Sequence, residues 1–153
     1  MGMGDKNLEQ AKISPIQSIS SKFLGGFLAI AGFGHLFWLR QEFLAQVPDW
    51  LPVDGDLVVV ISGVVEIILG VGLIVLRGNY RVFIGWAAAV FFILIFPGNI
   101  SQYVNGIDAF GLTSDSARLL RLFFQPVFVI WALWSTGAWQ ALRAKYSAKS
   151  TGG

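Results

Sequence analysis

Polar side chains are sparse in four stretches of the chain and gather between them. Each stretch is long enough to cross a bilayer, for which roughly 17–25 mostly apolar residues are needed. They run over about 23–39, 57–76, 81–97 and 119–139. In the second, LVVVISGVVEIILGVGLIVL, Ser62 and Glu66 are the only polar side chains. Its valines and isoleucines would suit a short buried strand, but about 20 residues at a helical rise of about 1.5 Å match the hydrocarbon thickness, and a lone strand would leave its backbone unpaired in lipid. Helices are therefore predicted for all four. Lysines precede the first stretch, as they would a secretory signal. Yet GFGHLFWLRQEF offers no small-residue cleavage pattern and three more spans follow, so the segment is expected to be retained.

The connections are short. Gly78 and Asn79 turn the second span into the third, and Pro48, Pro52 and Gly55 punctuate the first connection. Such spacing predicts an all-α fold, an integral membrane four-helix bundle with neighbouring helices antiparallel in up-down order. One domain is expected over 22–142, with a polar tail over 1–21 and a flexible tail over 143–153, neither of which has apolar periodicity.

Composition removes the soluble alternative. Of the 153 residues, 55% are apolar and 13% charged, whereas a soluble domain has about 45–50% and about 25%. The absence of cysteine excludes disulfide scaffolds, thiolate metal sites and cysteine nucleophiles together. The net charge of +2 comes from scattered bases rather than a basic patch, so a nucleic-acid partner is not expected and the bilayer is. Lys6, Lys12, Lys22, Arg77, Arg81, Arg143, Lys145 and Lys149 fall on one side of the predicted bundle, and Arg40, Arg118 and Arg121 on the other. By the positive-inside rule both termini are cytoplasmic. Trp38, Trp86 and Trp139 fall near span ends, where amphipathic rings suit headgroup depth.

The candidate chemistry lies in the few polar groups that the spans keep. Glu66 follows Leu57 by nine residues, which puts it roughly 13 Å below the outer surface, near the bilayer middle. A carboxylate there is costly unless protonated or paired, and such a group faces the bundle interior and marks function by default. Burial favours the neutral acid, and Arg121, if it reached inward, would favour the ion pair instead. Gly63 and Gly70 share the face of Glu66 and permit another helix, or a ligand, to come close. His35 on the first span, Asn99 and Gln102 at the end of the third, and Arg121 and Gln125 on one face of the fourth with Arg118 approach the same depth from other helices. Pro97 and Pro126 would bend their helices beside these groups. Each polar group alone has a plain structural reading as a hydrogen bonder within the bundle. Their convergence predicts a pocket of His35, Glu66, Asn99, Arg121 and Gln125 in the outer half. A metal or haem centre is not expected: His35 is the sole histidine, and no Glu-x-x-His pair is present.

GFGHLFWLRQEFLAQVPDWLP, SGVVEIILGVGLIVL, FPGNI and LLRLFFQPVFVIWALW, in that order, resemble the successive blocks of DoxX-like membrane proteins, small four-helix proteins of bacterial and archaeal membranes. The resemblance covers roughly Phe23 to Trp134. It implies that Pro48, Trp50, Pro52, Gly63, Gly70 and Pro97 are structural positions and that His35, Glu66, Asn99, Arg121 and Gln125 form the pocket. It also implies a bacterial plasma (inner) membrane and a link to quinone-dependent redox or respiratory metabolism, with a quinone as the cofactor it allows; distant animal relatives act as receptor-assembly chaperones. The reading that follows is an outward-facing pocket for a small amphipathic, quinone-like or lipid-like molecule. The alternative is an assembly factor or accessory subunit packed against a larger membrane protein, or a homo-oligomer. Because no complete catalytic motif is present, the residues leave enzymatic activity open.

Overall fold

The computed structural model describes residues 13–150, and all of their regular structure is helical: α1 Pro15–Leu36, α2 Arg40–Leu44, α3 Gly55–Val75, α4 Asn79–Val104, α5 Asp115–Ser135 and α6 Ala138–Ser150. Of these, α1, α3, α4 and α5, with 22, 21, 26 and 21 residues, are long and apolar enough to cross a membrane. Their outward faces carry phenylalanine, isoleucine, leucine and valine, Phe23, Ile30, Phe83 and Leu94 among them. In water this would be an extended apolar patch, whereas in lipid it matches the solvent.

Every span is displaced from its expected bounds, for identifiable reasons. The first begins at Pro15 rather than near 23, because Ser14 and Gln17 form a capping box: the Gln17 N–H donates to Ser14 Oγ at 3.2 Å, and the Ser14 N–H donates to Gln17 Oε1 at 2.9 Å. The expected polar tail over 1–21 therefore contains a helix start; its residues 1–12, with Lys6 and Lys12, lie outside the described residues. Replacing Ser14 with Ala should cost about 1 kcal/mol, the usual value of such a cap, and denaturant titration in detergent would read it; an unchanged midpoint would show that packing alone sets this boundary. The third span does not stop at Pro97 but continues to Val104. The fourth starts four residues early, at Asp115, where the Ser114 hydroxyl accepts from the Ala117 N–H, and ends at Ser135. Gly137, at φ +75°, then turns the chain into α6. Hence the tail expected to be flexible over 143–153 is helical through Ser150, and Trp139 opens α6 instead of closing the fourth span. Residues 151–153 are outside the described set.

The long helices associate as two tight pairs. α1 meets α3 at two points where both partners are glycine: a Cβ placed on Gly25 would lie 2.6 Å from the Gly70 carbonyl oxygen, and one on Gly32 would lie 2.5 Å from that of Gly63. Backbone therefore rests on backbone. α4 packs on α5 less extensively, and contacts between the two pairs are sparser still. A core of Leu24, Leu69, Leu73, Ala88 and Ala132 fills one end. There the beginning of α1 is tied to the ends of α3 and α5, since Ser21 Oγ donates to the Leu73 carbonyl at 3.1 Å and Gln17 Nε2 to the Trp134 carbonyl at 2.7 Å. At the opposite end the pairs stand apart and leave a cavity.

Candidate functional site

The cavity measures about 1040 Å³. Its walls are the second halves of α1 and α4 and the first halves of α3 and α5, and α2 with the connections around Trp50 and Phe110 covers it. Most of the lining is apolar. Phe128 stacks on Phe27 and Phe92, with ring centroids 5.4 and 5.3 Å apart, and Phe124 adjoins them.

Its polar groups are placed by helix geometry. Val59, Gly63 and Glu66 fall at successive turns of one stripe of α3. Gly63 makes room for the last turn of α1, because a Cβ there would lie 2.7 Å from His35 Cβ. The imidazole lies against the Phe43 ring, centroids 3.3 Å apart, and its Nδ1 is 3.2 Å from the Val59 carbonyl. A carbonyl only accepts, so Nδ1 carries the hydrogen, and in the neutral ring Nε2 is left as an acceptor. Nε2 faces Glu66 Oε2 at 3.3 Å. Both atoms are buried without any other partner. Two bare acceptors would repel at that distance, so a proton belongs between them: the pair is either imidazole with carboxylic acid or imidazolium with carboxylate, and is neutral overall in both.

A second group joins α4 to α5. Asn99 Nδ2 donates to Gln125 Oε1 at 2.8 Å, and Gln125 Nε2 donates to the Phe92 carbonyl at 2.6 Å. This last bond lies beside the place where Pro97 removes a rung from the helical ladder. The third group is a relay near the cover. Arg121 Nη2 donates to Gln46 Oε1 at 3.1 Å, Gln46 Nε2 to Gln102 Oε1 at 2.9 Å, and Gln102 Nε2 to the Ile107 carbonyl at 3.3 Å. The Arg121 guanidinium also lies over the Phe110 ring, 4.7 Å from its centroid.

His35, Glu66, Asn99, Arg121 and Gln125 thus all line one cavity. Arg121 does not extend to the Glu66 carboxyl but is engaged by Gln46 and Phe110. Arg118 leaves the expected stripe and instead clamps the connection before α5, bonding the Ile107 carbonyl, Asp108 and Asp115. Pro48, Trp50 and Pro97 line the cavity as well, whereas Pro52 is exposed in its connection. Gly63 and Gly70 lie in the α1–α3 contact. Sequence reasoning did not single out Gln46, Phe43 or Phe110. Among the described residues no three His, Asp or Glu side chains converge as metal ligands would.

No curated protein and no solved structure matches the chain. A family model described as a domain of unknown function (DUF8561) matches residues 24–136. That stretch runs from within α1 to the residue after α5 and includes every polar group of the cavity, and the chain accordingly belongs to the DUF8561 family.

Proposed function

We propose that the protein is an integral membrane protein that binds a small amphipathic molecule, quinone-like or lipid-like, in this cavity. The observation that carries the proposal is the division of the cavity's wall: an aromatic and aliphatic shaft of ligand-sized volume, with a handful of directed polar groups at one end. A purely structural polar core would be packed closed, since protein interiors leave few voids larger than a water molecule. In this reading the four long helices run up and down in antiparallel order with both termini in the cytoplasm, the polar end of the cavity faces outward, and the membrane is a bacterial plasma membrane. Kinship with DoxX-like proteins, and through it a role beside membrane redox chemistry, belongs to the same reading and rests on the sequence blocks quoted above.

The test is native mass spectrometry of protein purified from its own membranes in mild detergent. The wild type should retain a small amphiphile that survives detergent exchange. Ser62→Phe, which fills the cavity from the α3 wall, should retain at least about tenfold less, the scale on which one blocked subsite is felt. Equal retention by the variant, or a wild type holding nothing beyond exchangeable annular lipid, would overturn the proposal.

A further inference from the structure

Three arginines stand at the cavity end of the helices, and the structure treats one of them differently. Arg40 forms a two-pronged pair with Asp56. Arg118 is held by both Asp108 and Asp115. Arg121, one turn beyond Arg118, is half-buried and lines the cavity, and among the described residues no carboxylate lies within ion-pairing distance of it. Its hydrogen-bond and ring partners are neutral: the Gln46 amide oxygen and the Phe110 ring. A guanidinium keeps its charge in proteins and has five N–H donors in a planar fork. Gln46 occupies one of its nitrogens, and the remaining donors are available for a planar anion.

Among the described residues no other charged group at this end forms an ion pair with it. His35 and Glu66 share one proton and sum to zero. Asp56, Asp108 and Asp115 are paired with the other two arginines, Glu42 accepts from the Phe110 N–H, and neither Glu42 nor Asp49 or Asp54 of the same connections forms an ion pair with Arg121. α4 brings only the amides Asn99 and Gln102 to this region. Among the residues that line the cavity, with the His35–Glu66 pair neutral, Arg121 is thus the one uncompensated charge, at the head of an apolar shaft. Along α5 the shaft runs from Arg121 past Phe124 and Phe128, about two turns or roughly 10 Å of helix.

Resting on the amphiphile-binding reading above, we infer that the occupant is a single-chain amphiphile with an anionic head, a long-chain carboxylate. Its two oxygens pair with Arg121, and its chain lies along the phenylalanine wall. The ligand supplies the counter-charge that this arginine alone, of the three at the cavity end, does not receive from a carboxylate in ion-pairing distance. A buried cation in membrane surroundings is costly without such a partner, so charge complementarity and apolar burial select the same molecule.

The experiment measures binding of three probes, oleate, oleyl alcohol and decyl-ubiquinone, to delipidated protein in non-ionic detergent by native mass spectrometry. The wild type should bind oleate at least about tenfold more tightly than the alcohol, the scale of a charge-assisted hydrogen bond. Arg121→Gln should lose that preference, Arg121→Lys should keep part of it, and Arg40→Gln, which removes an equal charge from an exposed pair, should leave it within about twofold. Equal affinity of the wild type for oleate and the alcohol overturns the inference, as does an Arg121→Gln that keeps its preference. If Arg121→Gln does not fold, the wild type and Arg121→Lys decide. Binding of the neutral probes with no preference for oleate would refute the anionic head and leave amphiphile binding standing, whereas failure of all three probes would refute both.

Discussion

Gly70→Val should separate α1 from α3 and destabilise the protein by about 1–3 kcal/mol or more, the cost of forcing extra volume into a closed contact. The reason is the nature of the neighbours. A Cβ at position 70 would lie 2.6 Å from the Gly25 carbonyl oxygen and 2.7 Å from the Ala29 nitrogen, and both are backbone atoms of α1 that cannot rotate away. Relief requires the two helices to move apart, and valine's further carbons widen the gap. The displacement is felt at the cavity, because His35 and Glu66 sit on these two helices two turns or less from the second glycine contact, Gly32 with Gly63. Ligand retention should therefore fall together with stability. Gly26→Val is the control: nothing lies within 4 Å of a Cβ there. Equal losses in the two variants, read by thermal unfolding in the same detergent, would show that helix propensity and not the interhelical contact governs this position.

The same glycines indicate how far the sequence could be read. Spans and pocket residues were legible because a charged or amide side chain inside an apolar run stands out, and the bilayer leaves such a group no solvent. Glu66 lies alone with Ser62 among twenty residues, and His35, Asn99, Arg121 and Gln125 interrupt equally plain surroundings. Boundaries were harder. At Pro97 the usual rule ends a helix, but in lipid no water competes for the backbone, and the Gln125 amide supports the neighbouring Phe92 carbonyl, so α4 continues and delivers Gln102 to the relay. Ser14 and Gln17 carried a legible signature, the S-x-x-Q of a capping box, within a stretch whose polarity suggested a tail. Gln46, Phe43 and Phe110 left no comparable signal. They lie in connections, where amides and aromatics are ordinary, and their place at the site depends on how α2 and the connection before α5 fold over the cavity, which no periodicity encodes.

Glu66→Gln should fold as stably as the wild type, whereas Glu66→Ala should lose about 1–3 kcal/mol for the stranded ring nitrogen alone. The expectation follows from counting hydrogens. His35 gives its Nδ1 hydrogen to the Val59 carbonyl, so Nε2 needs a donor, and Glu66 can be that donor only as the carboxylic acid. A glutamine offers an amide hydrogen from the same place and keeps the pair neutral; an alanine offers none and leaves Nε2 buried and unpaired. The rival arrangement, imidazolium beside carboxylate, predicts the same tolerance of glutamine, because a buried imidazolium without its carboxylate gives up its proton and accepts from the amide, so spectroscopy and not stability separates the two. Arg121 does not decide between them through a direct ion pair, since it is engaged by Gln46 and Phe110. Environment favours the acid: the two side chains are among the most buried polar groups of the described chain, and separating charge in such surroundings is costly. Infrared difference spectra would settle the point at neutral pH. A carboxylic C=O stretch that disappears in Glu66→Gln is expected, and a carboxylate stretch that disappears in its place would establish the ion pair instead. With the acid as the resting form, the pair holds a transferable proton in the wall of the cavity itself, and neither the α1–α3 glycine contact nor the Val59 carbonyl has to move for that proton to pass between Oε2 and Nε2.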